Sequence, residues 1–242
     1  MNAKYAPLIK AANDAEAKSR ASAVVDQSDK GKPPSYFQEK ALKLSSVDEV
    51  AKSLDSKGVK NNLAEAGKKG KVDLKTAQEI HASVDHSLSD YGSKFQEKVT
   101  AINVGQPHEG KNSAGVEATY NHTTRAITVN ETYAKDGENF QREISNGHAL
   151  EDGKRWSACA DIKSVVDHEI GHAMTENLGS SLTKATGGQF MDTKTSTALS
   201  QYASTNKSEF HAELFSAGRN GQISDAKFQG YFNAMDAVIR GK

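Results

Sequence analysis

The stretch Asp167-His168-Glu169-Ile170-Gly171-His172-Ala173-Met174 decides how this chain is read. Histidines four residues apart on a helix lie on one face, about 6 Å apart at Cβ, so their two imidazoles can bind one metal ion. Glu169 directly follows the first histidine, placed to reach a water in the ion's open position. This is the H-E-x-x-H arrangement: two zinc ligands and a general base within about one helical turn. Zinc lowers the pKa of a bound water to about 7, and a neighbouring carboxylate takes the proton as the water attacks a carbonyl. The flanks predict a helix packed into a core, with Asp161 as N-cap and Gly179 as the C′ stop. Ile162, Val165, Val166, Ile170, Ala173 and Met174 recur along it at helical spacing.

Two histidines and a water leave one protein ligand to be found. His211 is the one histidine after His172, and the sequence around it offers carboxylates instead. Asn206 to Glu209 reads as a capping box, opening a helix that ends before Gly218. Glu209 and Glu213 are four residues apart and share a face, while Phe210, Leu214 and Ala217 form a neighbouring face expected to pack on the metal helix. A carboxylate on a second helix is the usual third ligand of a His₂Glu catalytic site, which makes Glu209 the candidate. Glu213, one turn on, is placed to accept the free ring N–H of a ligand histidine and fix its tautomer. His211 projects roughly opposite to Glu209 and reads as a surface residue.

His168-Glu169-Ile170-Gly171-His172 followed by Tyr202, Glu209 and Glu213 resembles the glutamate-zincins (gluzincins) related to anthrax lethal factor and the Pro-Pro endopeptidases. In that group a tyrosine stands seven residues before the glutamate ligand and another glutamate follows four later, as Tyr202, Glu209 and Glu213 do here. The resemblance implies that Tyr202 helps stabilise the oxyanion of the tetrahedral intermediate. A similar zincin module occurs in phage head-morphogenesis-type proteins, where a helix and a short hairpin like Ala118–Val129 precede the zinc helix. The likeness spans roughly residues 94–218 and is specific at the two motifs.

Composition sets outer bounds. The 242 residues suffice for one good core with an appendage. Lysine plus arginine number 31 and aspartate plus glutamate also 31, so a formal net charge of zero predicts no bulk attraction to nucleic acid or an anionic membrane. Cys159 is the single cysteine, and no apolar run approaches a membrane span. The first ten residues lack the apolar core of a secretory signal, so the chain is expected to be soluble and without a signal peptide, cytoplasmic or virion-associated, with non-classical export left open.

Tyr5 to Val25 reads as an alanine-rich helix, and Asp26 to Pro34 as a linker. Residues 1–34 are therefore expected to form an N-terminal helical arm, a candidate docking element, and 35–242 the main domain. Ser46-Val47-Asp48-Glu49 predicts a capped helix to about Gly58, Asn61 to Lys71 a loop or frayed helix, and Asp73 to about Phe95 a second helix. His81 and His86 on that helix are expected to be solvated, as are His108 and His122 in loops. Val99 to Val104 reads as a strand, and Val116–Tyr120 and Ala126–Val129 as a hairpin turning at residues 121–125. Tyr133 to Arg155 reads as irregular.

The expectation is an α+β, zincin-like metallopeptidase domain behind a helical arm. His168, His172 and Glu209 would bind Zn2+, Glu169 would be the base, Tyr202 would assist and Glu213 would support a ligand. The substrate would be an extended protein or peptide segment. Two other readings fit the same residues: a virion or assembly protein that keeps the zinc fold as structure, and a leaderless toxin or effector protease.

Overall fold

The chain from Leu74 to Tyr91 forms the helix around which the others gather, starting where Asp73 accepts a hydrogen bond from the Thr76 amide (2.8 Å). The computed structural model describes residues 27–107, 115–148, 155–185 and 193–241. In chain order its elements are α1 (Pro34–Ala41), α2 (Val47–Ser56), β1 (Lys60–Asn61), α3 (Leu63–Lys68), α4 (Leu74–Tyr91) and α5 (Ser93–Lys98). Next come β2 (Ala101–Gly105), β3 (Ala118–Asn121), β4 (Ala126–Asn130), α6 (Glu131–Ala134) and α7 (Gly137–His148). The remaining helices are α8 (Ile162–Thr175), α9 (Gly179–Ala185), α10 (Thr193–Leu199), α11 (Lys207–Arg219) and α12 (Ala226–Arg240). The architecture is α+β, mostly helical, with one four-stranded sheet in the order β1-β2-β4-β3. Among the described residues no helix is long and apolar enough to cross a membrane.

Strands β1 and β4 run parallel to β2, and β3 pairs antiparallel with β4, which leaves β3 at the edge. Ile102 lies beside Ile127 and Val104 beside Val129, all buried, so the period-two pattern sets the register. The hairpin between β3 and β4 turns as its residues predict. Asn121 Oδ1 accepts from the amides of Thr123 (2.9 Å) and Thr124 (3.0 Å), and Arg125 takes a φ of 53° to close the turn.

Helix α8 is buried along nearly its whole length. The Asp161 carboxylate accepts from the Ser164 amide (2.7 Å), and Ser164 Oγ accepts in return from the Asp161 amide (2.9 Å), a complete capping box. Its main partner is α11, and Gly171 explains how closely the two approach. A Cβ built on Gly171 would stand 2.9 Å from Ala212 Cα and 3.1 Å from Phe215 Cβ, too near for any larger residue without displacement. Beneath α8 lies a buried charge network. Lys163 and Asp167, each 0% exposed, pair at 2.6 Å. Ser83 Oγ on α4 donates to Asp167 (2.7 Å), as does Asn220 Nδ2 (2.9 Å), while Lys163 Nζ donates to Asn220 Oδ1 (2.8 Å). Burial alone would raise the Asp167 carboxyl, but the Lys163 ammonium and the Arg219 guanidinium outweigh it and hold it well below the usual carboxylate range.

Several expectations are corrected. His81 and His86 are buried, not solvated, because α4 is covered on both faces. His81 Nε2 meets Ser53 Oγ (2.8 Å) and Lys57 Nζ (3.1 Å), and the His86 ring stacks on Phe37 with centroids 4.6 Å apart. Burial lowers both imidazoles, His81 to about 4, so both are neutral near pH 7. The helix expected to reach Phe95 breaks at Gly92, whose φ of 54° ends α4 and starts α5. Residues 133–148 are largely helical, since Phe140 and Ile144 supply a buried pair one turn apart. Residues 61–71 hold the end of β1 and α3, fixed by buried Leu63 and Ala66. Gly179 does not stop α8; the chain turns at Asn177 (φ 64°), and Gly179 opens α9. Helix α11 runs through Gly218, where the absent Cβ makes room for the Phe232 ring of α12. The residues expected to form a linker include a 3-10 turn at Gln27–Asp29, where Asp29 accepts from Tyr36 (2.7 Å) and pairs with Lys40 (2.6 Å). His122 is exposed as expected; His108 and the arm helix at 5–25 lie outside the described residues.

Two substitutions test this packing. Gly171→Ala should lower stability by about 1–3 kcal/mol in urea unfolding, although alanine is the better helix former in isolation. A gain in stability would show that the α8–α11 contact is looser than described. Asp167→Ala should cost about 3–5 kcal/mol, because it strands a buried ammonium. In the parent protein this aspartate's contribution is complete above the ordinary carboxylate pKa, about 4, and is lost as the pH falls through the lower folded value. An acid-unfolding midpoint unchanged in the variant would contradict that assignment.

Candidate metal centre

The Gly171–Ala212 contact brings two pairs of side chains face to face. His168 and His172 flank Gly171 on α8, and Glu209 and Glu213 flank Ala212 on α11. His168 Nε2 lies 3.0 Å from Glu209 Oε2, His172 Nε2 lies 3.1 Å from His168 Nε2, and His172 Nε2 lies 3.2 Å from Glu209 Oε2. Three donor atoms therefore form a nearly equilateral triangle. Ligands about 2.05 Å from a tetrahedral zinc stand about 3.4 Å apart, so the triangle is a few tenths of an ångström tighter than that ideal.

Proton counting gives an independent test of fit. Glu213 is fully buried, and its carboxylate accepts from Ser157 Oγ (2.9 Å), Ser200 Oγ (2.7 Å) and the Ala158 amide. Burial would raise its carboxyl, but the bond with His168 and these donors hold it below its ordinary value, so it is ionised. His168 Nδ1, 3.0 Å from Glu213 Oε1, must then carry the ring proton and donate it. In the neutral ring this leaves a lone pair on Nε2 facing the carboxylate oxygen of Glu209, two acceptors in contact. A second proton or a cation between them resolves the conflict. The surroundings favour positive charge there: burial would lower the His168 imidazole, yet Cys159, Glu209 and Glu213 together raise it well above its ordinary value. Burial would likewise raise Glu209, but hydrogen bonding with His168 and His172 holds it far below the carboxylate range. A divalent cation would supply the charge these groups call for, and two imidazoles with one carboxylate fit zinc.

The second helix is capped just ahead of Glu209. Asn206 Oδ1 accepts from the amides of Ser208 (2.9 Å) and Glu209 (3.1 Å). The Glu209 carboxylate does not close the predicted capping box but turns to the histidines, and Ser208 Oγ holds His172 Nδ1 at 3.0 Å. The face of α11 that meets α8 includes Ala212, Phe215 and Ser216, whereas Phe210 packs toward Phe228 of α12. His211, expected at the surface, is buried, and burial lowers its imidazole to about 4.

Glu169 is 7% exposed and lines a cavity of about 170 Å³ together with His168, Tyr202 and Glu213. Its carboxylate reaches within 4.8 Å of the donor atoms of both histidines. Tyr202 opens a 3-10 turn whose place is set by its amide donating to Trp156 O (2.8 Å), and its ring stacks on His168 at 5.7 Å. Burial and then the Glu209 charge push the phenol up to about 12, so it stays protonated as a hydrogen-bond donor. All six residues singled out in the sequence thus meet around one point. Four that matter were not read there: Ser157, Ser200, Trp156 and Glu117. The serines sit in loops with no local signal, and Glu117 passes for a solvent-facing position in an alternating strand. No family model, no curated protein and no solved structure matches this chain.

Proposed function

We propose that this protein is a zinc-dependent metalloendopeptidase of the zincin type. The observation that carries the reading is the triangle of His168 Nε2, His172 Nε2 and Glu209 Oε2, with the Glu169 carboxylate in the adjoining cavity. Zinc in this triangle would acidify a water and polarise the scissile carbonyl. Glu169 takes the proton of the attacking water and returns it to the leaving amine. Tyr202 donates a hydrogen bond to the developing oxyanion. Glu213 holds His168 in the tautomer that leaves Nε2 free to ligate, fixed in turn by Ser157, Ser200 and the Ala158 amide.

The substrate's path follows from the sheet. β3 is one of the two edge strands, and Gly115 to Ala118, at its start, line the cavity. An extended peptide segment laid beside β3 would gain main-chain hydrogen bonds and bring its carbonyl to Glu169 and Tyr202. A zinc site kept only as structure has no use for the Glu169 carboxylate, which has no hydrogen-bond or ion-pair partner among the described residues.

Metal analysis with a peptide-library cleavage assay tests the proposal. The protein should carry about one zinc per chain, the complement of one three-ligand site. Glu169→Gln should keep zinc while cleavage falls by about 10²–10⁴-fold. Glu209→Gln should lose zinc. Equal zinc contents in these two variants, or undiminished cleavage by Glu169→Gln, would remove the assignment. Tyr202→Phe should lower kcat by about 10- to 10³-fold with KM and zinc content nearly unchanged. Unchanged turnover would reduce Tyr202 to a packing aromatic.

A further inference from the structure

The cavity beside the metal centre holds more negative charge than the proposed hydrolysis needs. Glu117, Glu169 and Glu213 all line it, and Glu209 stands at its metal end. A divalent ion would be matched by Glu209 and Glu213, and Glu169 serves as base. Glu117 is left over. Among the described residues its carboxylate has no hydrogen-bond or ion-pair partner, and no lysine or arginine lines the cavity. Burial raises the Glu117 carboxyl; His168 opposes the rise, and the nearby Glu213 and Glu169 add to it. A half-buried carboxylate among other carboxylates is costly in its charged form, so it either keeps a proton or is joined by a cation, and a cationic peptide group beside it would favour the second.

The position of Glu117 indicates where that cation comes from. Its carbonyl accepts from the Asn130 amide (2.9 Å), extending the β3–β4 ladder by one residue. A peptide added along the outer side of β3 would run past Glu117, where an oppositely charged cross-strand neighbour is favoured. The same cavity is lined by Trp156, which is 54% exposed although large and aromatic, and whose ring stacks on Tyr202 at 5.8 Å. An indole face of this kind takes cationic groups, guanidinium most readily.

We infer that Glu117 is a specificity-determining residue that selects peptides carrying a cationic nitrogen group, ammonium or guanidinium, close to the scissile bond. This rests on the peptidase reading for its place in the reaction, but its test is a binding measurement. The full-length, zinc-loaded Glu169→Gln protein, in which cleavage is slowed by about 10²–10⁴-fold, is titrated calorimetrically with N-acetylated penta-alanine amides. Each carries arginine at one position in turn, and its partner carries the neutral isostere citrulline. Unacetylated penta-alanine amide supplies the same charge as a free terminal amine.

At one position at least, arginine should bind about tenfold or more tightly than citrulline, the scale of a charge-assisted hydrogen bond. Adding Glu117→Gln should abolish the difference, and Glu117→Asp should keep part of it at an unchanged thermal midpoint. An advantage for the free amine alone would assign the same carboxylate to the peptide's terminus. Equal binding of arginine, citrulline and free-amine peptides overturns the inference, as does a preference that survives Glu117→Gln. The two proposals fail separately. Wild-type cleavage of neutral peptides as fast as basic ones sinks the cation site and leaves the peptidase. An arginine preference that needs Glu117, in a protein that cleaves nothing, does the reverse.

Discussion

The close approach of Gly171 to Ala212 is the constraint on which the rest depends. At that point two helices pack with backbone nearly against backbone, which needs a residue without Cβ on one side and a small one on the other. The four polar groups sit in matching places around it: His168 and Glu209 three residues before the contact, His172 and Glu213 one residue after. On a helix the members of each pair, four residues apart, share a face, and that face borders the contact. One tight contact therefore brings together both histidines, the third donor and the carboxylate behind them. A bulkier residue at 171 would wedge the helices apart and open every distance in the site at once.

The cost of such a site is buried charge, and the structure meets it on both sides of α8. Successive residues on a helix point about 100° apart, so His168 faces α11 while Asp167 faces the network of Lys163, Ser83 and Asn220. Asp167 and Glu213 are each enclosed by several donors. One partner of Asp167 comes from α4, and those of Glu213 from the segment before α8 and the end of α10, so two loops distant in sequence fix the orientation of the His168 imidazole through Glu213. Breaking the network beneath the helix would disturb the candidate site above it without touching any of its donor residues.

Local chemistry made much of this legible in the sequence. The Asp161 and Asn206 caps, the Asn121 turn and the two pairs of residues four apart each act within a few residues of their own position, and the structure has them where their spacing places them. What could not be read depends on partners distant in sequence. His81 and His86 look like polar helix positions until α1 and α2 are known to cover them, and His211 looks like one until its burial is seen. Ser157 and Ser200 acquire meaning only because two loops converge on Glu213. Glu117 has the charge expected of an exposed edge strand, and only the cavity shows that it points at the site. Gly218 looked like a helix stop, whereas its task is to admit a phenylalanine ring.

The donor triangle also has a meaning for the unfolded chain. His168 and Glu209 are 41 residues apart, and an ion held between them would tie α8 to α11 as a clasp. A disulfide closing a loop of that length is worth about 4 kcal/mol in lost chain entropy. With Cys159 as its single cysteine, the chain has no such bond of its own. A metal in this place would therefore act as its cross-link, and one that a chelator, not a reductant, undoes.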